Sequence, residues 1–147
     1  MKWVTREKAK VDRIACPWLI TKFIDNRPEF LFVPADKVSE VAIERNAIPF
    51  DIPNIELGHH ADKCSFDAII EKYHLKDAAL LELAKIVRAA DTDNKELALE
   101  SIGLEAIAEG FRHITKDDFD NMSKQFYMYD ALYAYCQRKV AQKSGGS

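Results

Sequence analysis

Apolar residues follow two different patterns in the first and second halves of the chain. Three short apolar stretches in the first half predict strands, at residues 3–5, 30–33 and 48–52. The last of these is an edge strand, because Pro49 has no N–H to donate to a neighbouring strand. Helices are predicted between the strands. One begins at Pro17, since proline suits the first helical position, and another ends near Asn46.

From Ser65 onward the apolar residues recur at helical spacing. Ser65 and Asp77 are expected to cap the first two helices, and a third helix follows them. Thr115 with Asp118 resembles a capping box and predicts the start of the longest helix. Along it, seven positions at spacings of three and four form an apolar seam: Phe119, Met122, Phe126, Tyr129, Tyr133, Cys136 and Val140. The pattern predicts an α+β protein, mostly helical, with a small N-terminal β-sheet flanked by helices and then a C-terminal helical bundle.

Length and composition limit the class of protein. With 147 residues, 48% hydrophobic and 31% charged, we expect a single domain over residues 1–143 and a flexible tail at residues 144–147. The net charge of −3 argues against binding nucleic acid through a broad basic surface. Apolar runs fall far short of the roughly 20 residues of a membrane-spanning helix, and the start of the chain is too charged for a signal peptide. We therefore expect a cytoplasmic protein that binds no membrane.

Cys16, with Arg13 nearby, is the first candidate for chemistry. If a helix begins at Pro17, Cys16 lies at its N-cap, where the helix dipole and free N–H groups would lower the pKa of the thiol. Arg13 would add positive charge to a reactive thiolate or to an oxyanion-binding corner. The alternative is a small buried cysteine beside a structural pair of Asp12 and Arg13.

The loop after the third predicted strand leads into a set of metal-ligating side chains. His59, Cys64 and Asp67 offer an imidazole, a thiolate and a carboxylate, which all bind transition metals. His59 follows Gly58 in a polar loop and is the strongest candidate of the three, whereas His60 is expected to be an exposed neighbour. The alternatives are that Asp67 offsets the dipole of the helix it begins and that Cys64 packs in the core.

Two aspartates lie where the helical pattern raises a question. Asp91 extends the apolar face of its helix by one more turn, at the C-terminal end, where a carboxylate needs a cation, a hydrogen-bond network or a metal ion. The alternative is that Asp91 acts as a cap together with Thr92 and Asp93. Asp130 flanks the apolar seam and is expected to be a hydrogen-bonded structural residue.

Several segments together resemble one known family. Residues 11–20 (VDRIACPWLI), preceded by residues 3–6 (WVTR), are similar to the opening of the chromate resistance protein family, which is the C-terminal domain of longer chromate resistance regulators. Further motifs of that family resemble residues 49–53, 58–59, 64–67, 86–88, 90–92 and 129–133. The resemblance extends from about Trp3 to Cys136 and includes Arg13, Cys16, His59, Cys64, Asp67, Asp91 and Asp130.

The resemblance implies a bacterial accessory or regulatory protein of chromate stress. It implies a functional link to a chromate efflux transporter, beside which members are found, or to a rhodanese-like protein, since some members are joined to such a domain. It defines no reaction. Because no separate N-terminal domain is present in the sequence, we expect the stand-alone form and not a transcriptional regulator.

The leading hypothesis is a small metal-binding protein of the chromate resistance type. His59 and Asp91 are the expected ligands, and Asp67 or Cys64 would complete the shell. This mixed set of nitrogen and oxygen ligands suits a divalent transition metal such as iron, manganese or zinc.

An open position on such a metal would bind or reduce a small oxyanion, with Arg13 supplying charge and Cys16 a thiolate. The protein would then be a metal- or thiol-dependent oxidoreductase. The rival hypothesis is a metal-free oxyanion sensor or protein-interaction module that uses Arg13 and the helix start at Pro17. On that hypothesis the helical seam docks a partner chain, so a homo-oligomer is a further expectation.

Overall fold

The computed structural model describes residues 1–91 and 98–144. Its strands are β1 (Lys2–Arg6), β2 (Glu29–Val33) and β3 (Ile48–Pro49). Its helices are α1 (Asp12–Phe23), α2 (Val38–Glu44), α3 (Ser65–Lys72), α4 (Ala78–Asp91), α5 (Glu100–Ile114) and α6 (Asp118–Ser144), with a short 3₁₀ helix, Ala35–Lys37, before α2. The predicted α+β class, mostly helical with a small N-terminal sheet, is confirmed.

Some predicted features lie outside the described residues. These are Thr92, Asp93 and the part of the expected tail beyond Ser144. Among residues 1–91 and 98–144, no helix combines the length and the apolar character needed to cross a membrane.

β1 is the middle strand of a parallel sheet, with β2 on one side and β3 on the other. Its side chains enter two cores: Trp3 packs in the larger one with α1 and the later helices, and Val4 packs in a smaller one with Val38 of α2. A strand buried on both faces reads as a continuous apolar run, which explains the pattern at the start of the chain. The carboxyl ends of parallel strands meet at one edge of the sheet, so Asp12 after β1 and Asp51 after β3 arrive at the same place.

The third strand is shorter than the sequence predicts. β3 covers Ile48–Pro49 and not residues 48–52, because the chain turns away at Asp51, whose backbone φ is 52°. Phe50 still bonds to β1 through its backbone. The N–H of Asp51 then donates to the carbonyl of Leu57 at 3.0 Å, which closes the following loop on itself.

Helix α1 begins earlier than predicted, at Asp12 and not at Pro17. The carbonyl of Val11 accepts from two N–H groups, at 3.2 and 2.9 Å, and so closes a helical turn well before the proline. Pro17 lies inside the helix and gives up one helical hydrogen bond. Cys16 is therefore buried within the helix, and the prediction that it occupies an N-cap is wrong. Because no helix begins at Pro17, the prediction of an oxyanion site at a helix start there is wrong.

Helices α3 and α4 have different kinds of cap. Asp77 Oδ1 accepts from the N–H of Leu80 at 3.0 Å, which confirms Asp77 as a cap of α4. At α3 the cap residue is Cys64, and Ser65 is the first helical residue. The difference of one position matters, because it places the N–H of Ser65 at the open end of the helix, where a distant carboxylate can accept from it.

Helix α6 begins at Asp118, and Thr115 does not cap it. Thr115 Oγ1 donates to the carbonyl of Phe111 at 2.6 Å and so belongs to the end of α5. Asp117 Oδ1 accepts from the N–H of Asp120 at 2.9 Å, which is the usual bond of a capping side chain. The predicted capping box of Thr115 and Asp118 is therefore wrong.

The apolar seam on α6 is confirmed in its C-terminal part and wrong near its start. Tyr129 and Cys136 are fully buried in the core that α6 forms with α1 and α4. Nearer the start of the helix the buried residues are Asn121 and Gln125, which hydrogen-bond to each other, whereas Phe119 is half exposed. Asn121 also donates to the chain before α1, so a polar residue replaces an apolar one in the contact.

Asp130 joins α6 to α1. Its Oδ1 accepts from Trp18 Nε1 at 2.9 Å and lies 3.1 Å from Lys22 Nζ. The structural role predicted for Asp130 is confirmed.

Candidate metal centre

Asp12, His59 and Asp91 converge from three separate parts of the chain. Asp12 is the first residue of α1, Asp91 is the last of α4, and His59 lies in the loop between β3 and α3. One ligand atom from each lies within 4.8 Å of the other two. His59 Nε2 is 3.0 Å from Asp91 Oδ2 and 3.9 Å from Asp12 Oδ2. Two carboxylates and an imidazole thus point at a common position.

Asp12 is held in place by the end of another helix. Its Oδ2 accepts from the N–H of Ser65 at 2.8 Å, and its Oδ1 accepts from the N–H of Phe66 at 3.2 Å. The thiol of Cys16 donates to Oδ1 at 3.3 Å. Because the first N–H groups of a helix have no partner within the helix, a carboxylate at this place satisfies α3 and is fixed by it.

Only glycine fits at the position before His59. A Cβ on Gly58 would lie 2.4 Å from the carbonyl oxygen of Ile52, a contact that backbone cannot relieve without shifting. The N–H of Gly58 donates to the carbonyl of Ile55 at 3.2 Å, which folds the loop tightly. His60 is exposed and its Nε2 lies 2.7 Å from the carbonyl of Glu56. The loop therefore turns His59 toward the two carboxylates and His60 away from them, as predicted for His60.

Asp51 is a third carboxylate, beside this group. Its Oδ1 lies 3.2 Å from His59 Nε2 and accepts from Ser65 Oγ at 3.2 Å. Its Oδ2 lies 3.5 Å from Arg13 Nε and 3.7 Å from the nearer terminal nitrogen of Arg6. Two guanidinium groups thus face one oxygen of Asp51, while its other oxygen faces His59 Nε2.

The sequence pattern did not single out Asp51 as a site residue. The signal that could have found it is its place directly after a strand, since the carboxyl ends of parallel strands carry functional residues.

Burial and nearby negative charge raise the pKa values of two carboxylates, Asp12 and Asp91. Burial, and then the charge of Asp51, raise the pKa of Asp12 well above its usual range. Burial and the charge of Asp51 raise the pKa of Asp91 to about 6. The pKa of His59 rises to about 9, chiefly because its ring hydrogen-bonds to Asp51. Full ionisation of these carboxylates would therefore create a surplus of negative charge, which bound protons or a cation would balance.

The two cysteines near this group are buried thiols. Burial, and then the charge of Asp12, raise the pKa of Cys16 well above its usual value, so the lowered pKa expected for a thiolate at this position is wrong. Burial likewise raises the pKa of Cys64, whose Sγ donates to Asp67 Oδ2 at 3.4 Å. Both side chains are fully buried.

Asp67 faces α4 and the start of its own helix. Its carboxylate accepts from Arg88 Nε at 3.0 Å and from a terminal nitrogen of Arg88 at 3.2 Å. It also accepts from the N–H of Cys64 at 3.1 Å, as a carboxylate in the first turn of α3. Asp67 and Cys64 thus lie outside the group of Asp12, His59 and Asp91, which has Asp12 where the sequence predicted one of these two.

Arg13 is mostly buried beside the group. Its terminal nitrogen donates to the carbonyl of Glu7 at 3.2 Å, while its Nε faces Asp51. Burial and the nearby charge of Arg6 lower the pKa of Arg13. The positive charge of Arg13 therefore lies next to the carboxylate of Asp51, at the edge of the candidate centre.

Residues 3–136 match the family model described as ChrB, C-terminal domain. The chain belongs to the ChrB C-terminal domain family. A curated relative, Protein ChrB of Cupriavidus metallidurans (strain CH34), is 30% identical over 135 residues. The alignment covers 91% of this chain and 40% of the relative, so the chain spans about two-fifths of that protein's length. No solved structure matches the chain. The family resemblance inferred from the motifs is confirmed, and the match includes every residue of the candidate centre.

Proposed function

We propose that this ChrB-family domain is a metal-binding protein with a role in chromate resistance, in which Asp12, His59 and Asp91 hold one divalent transition-metal ion. Family membership supports the chromate-resistance role. The observation that carries the metal proposal is the convergence of three ligand atoms, each within 4.8 Å of the others, from α1, α4 and the loop between β3 and α3.

The chemistry of the three ligands narrows the choice of metal. One imidazole and two carboxylates form a mixed nitrogen and oxygen set, which suits iron, manganese or zinc. Soft thiolate ligation, typical of zinc structural sites and Cu(I), would have to come from Cys64 or Cys16, and both are buried. The thiol of Cys64 donates to Asp67, and that of Cys16 donates to Asp12 and so supports a proposed ligand. The proposal is therefore a metal held by oxygen and nitrogen alone.

Neighbouring groups orient the proposed ligands. The N–H groups at the start of α3 fix Asp12. Asp51 contacts His59 through Nε2, the nitrogen that would bind the metal, so metal binding would replace that hydrogen bond. Such outer partners set the geometry and basicity of metal ligands in other proteins. Three ligands leave coordination positions open, as in metal sites that act on a substrate.

A cleft of about 280 Å³ leads to the exposed side of His59 and is lined in part by Arg6 and Asn54. We propose that this cleft admits a small oxyanion to an open position on the metal. Arg6 on the wall and Arg13 behind Asp51 would attract the anion. Iron or manganese held there would supply one-electron redox chemistry, which zinc would not.

Metal analysis of the untagged protein tests the proposal. We expect near-stoichiometric metal in the wild type after incubation with Fe²⁺, Mn²⁺ or Zn²⁺ and desalting. His59→Ala should lose it, whereas His60→Ala is a matched control that should retain it, since His60 faces away from the group. Absence of bound metal with all three ions, or equal binding by His59→Ala, would reject the proposal.

A further inference from the structure

Asp51 is a buried carboxylate that lines the cleft leading to the proposed metal position. Its side chain is 4% exposed, and Arg6 and His59 line the same cleft. Its Oδ1 lies 3.2 Å from His59 Nε2. Asp51 is nevertheless not one of the three residues whose ligand atoms all lie within 4.8 Å of one another. Its carboxylate is therefore next to the proposed metal, in the wall that an entering ligand would touch.

Asp51 is held in one position by its own backbone and by its neighbours. Its backbone φ is 52°, and its N–H donates to the carbonyl of Leu57 at 3.0 Å. Its carbonyl accepts from Arg6 Nε at 3.2 Å, and its Oδ1 accepts from Ser65 Oγ at 3.2 Å. A left-handed φ in a residue other than glycine costs energy and occurs most often at functional sites. The carboxylate is thus fixed in the wall of the cleft before any ligand enters.

Metal binding would remove one of the two hydrogen-bond donors of Asp51 Oδ1. In the structure these donors are the ring nitrogen Nε2 of His59 and the hydroxyl of Ser65. A metal ion on Nε2 would replace the ring proton, so only the hydroxyl of Ser65 would remain. A carboxylate oxygen accepts two hydrogen bonds, and a buried acceptor that loses a donor is unfavourable. The loaded site would therefore favour a ligand that donates a hydrogen bond to Asp51.

Arg6 supplies the opposite kind of group in the same wall. Its side chain is 36% exposed, and its nearer terminal nitrogen lies 3.7 Å from Asp51 Oδ2, too far for a hydrogen bond. Among residues 1–91 and 98–144, the hydrogen bond of the Arg6 side chain is the one from Nε, so both terminal nitrogens are available to an anion. The cleft thus presents donors that bind a negative oxygen and an acceptor that suits an O–H group.

We propose that Asp51 makes this site specific for oxyanions that keep a proton, such as hydrogen phosphate, over those that have none, such as sulfate. The inference rests on the metal site of the proposed function and names the class of oxyanion that this site takes. Arg6 binds the negative oxygens, and Asp51 Oδ1 accepts from the protonated oxygen. An oxyanion without a proton would bring an oxygen lone pair against a buried carboxylate, with no hydrogen between them.

Binding of phosphate and sulfate to the metal-loaded protein tests the proposal. At mildly alkaline pH both are tetrahedral dianions of similar size, and they differ in the proton that hydrogen phosphate keeps. The whole chain is loaded with whichever of Fe²⁺, Mn²⁺ or Zn²⁺ it retains after desalting, and each anion is titrated by calorimetry. We expect phosphate to bind at least about tenfold more tightly than sulfate. Fluorophosphate, a dianion without an O–H group, should bind as weakly as sulfate.

Two variants of the cleft wall separate the roles of its residues. In Asp51→Asn the guanidinium groups of Arg6 and Arg13 would hold the amide oxygen on their side, so the amide N–H₂ would face the cleft as a donor. The preference for phosphate should then disappear, with sulfate bound about tenfold more tightly than by the wild type. Arg6→Gln should weaken both anions and keep their ratio. Arg45→Gln is the matched control, since Arg45 lies beside Lys2 at the opposite end of β1.

The outcomes distinguish this inference from the proposed function. A protein that retains none of the three metals fails the proposed function, and the inference fails with it. A protein that retains metal but binds sulfate or fluorophosphate as tightly as phosphate, or binds none of the three anions, overturns the inference alone. A metal-loaded Asp51→Asn protein with the full preference for phosphate does the same. The comparison of the three anions uses the wild type, so it decides the question even if Asp51→Asn fails to fold.

Discussion

His59 is surrounded by three carboxylates, and this environment decides what its ring can do. The sequence pattern singled out His59 because it follows Gly58 in a polar loop. It singled out Asp91 because this carboxylate extends the apolar face of its helix. Asp12 entered only as the structural neighbour of Arg13, and Asp51 was not singled out at all. Both depend on tertiary structure: Asp12 on the distant start of α3, and Asp51 on a backbone turn with positive φ. Neither is visible in local spacing.

Asp91→Asn removes a proposed ligand and relieves a repulsion. Above pH 6 or so the charged form of Asp91 is unfavourable in the folded protein, because burial and Asp51 raise its pKa to about 6. We expect the variant without metal to melt at neutral pH at the same temperature as the wild type or higher. We also expect it to lose the rise in melting temperature that Mn²⁺ causes in the wild type. Equal stabilisation of both proteins by Mn²⁺ would contradict this.

Gly58→Ala should disturb the loop that positions His59. The added Cβ would lie 2.4 Å from the carbonyl oxygen of Ile52, so the loop must shift. We expect the free energy of unfolding to fall by about 1–3 kcal/mol, and metal affinity to fall with it. Urea denaturation and metal titration measure the two effects.

Gly103→Ala is the control for Gly58→Ala. A Cβ there meets nothing within 4 Å among the described residues, and alanine favours the helix. We expect a gain of about 0.5–1 kcal/mol in the free energy of unfolding. A Gly58→Ala variant as stable as this control would show that the loop is not constrained as described.

At the scale of elements, the helices follow from periodicity, but the starts of α1 and α6 do not. Helix α3 is completed by Asp12 of α1, and Asp118 of α6 accepts from the N–H groups of Lys8 and Ala9, at 2.9 and 2.6 Å. A local pattern cannot reveal a partner that is distant in the chain. The misplaced start of α1 also produced the wrong expectation of an activated thiol at Cys16, because the argument required an N-cap there.

Asp67→Ala tests whether Asp67 is a structural residue or a ligand. Asp67 joins α3 to α4 through Arg88 and accepts from the N–H at the start of α3. We expect the free energy of unfolding to fall by about 1–2 kcal/mol, as for loss of a helix cap, with metal content unchanged. Chemical denaturation and metal analysis of the same preparation measure both. Loss of metal from a folded Asp67→Ala protein would restore Asp67 as a ligand.

At the scale of the whole molecule, the parallel sheet assembles the candidate centre. The ends of β1 and β3 deliver Asp12 and Asp51 to one edge, and α4 ends there with Asp91. Three carboxylates and one imidazole are thereby brought together, and a cation or bound protons must balance their charge. The sequence predicted the α+β class and the order of its elements, but this meeting point requires the topology.

The stability of the metal-free protein should fall as pH rises. The pKa of His59 is about 9 in the folded protein and 6.5 ordinarily, so its contribution to stability is complete below pH 6.5 and is lost through pH 9. The raised pKa of Asp91, about 6, acts in the same direction at lower pH. Melting temperatures measured across this range should decline. His59→Gln should flatten the part between pH 6.5 and 9, and a variant with the same slope as the wild type would contradict the role of His59.

The absorption spectrum of the Co²⁺-loaded protein is the most direct test of a metal held by Asp12, His59 and Asp91. Cobalt replaces zinc, iron or manganese in many sites, and its near-ultraviolet spectrum reveals sulfur ligands. We expect visible bands from bound cobalt, no sulfur-to-cobalt charge-transfer band, and loss of the visible bands in His59→Ala. A protein that binds no cobalt, or one with a sulfur band that disappears in Cys64→Ser, would contradict the account.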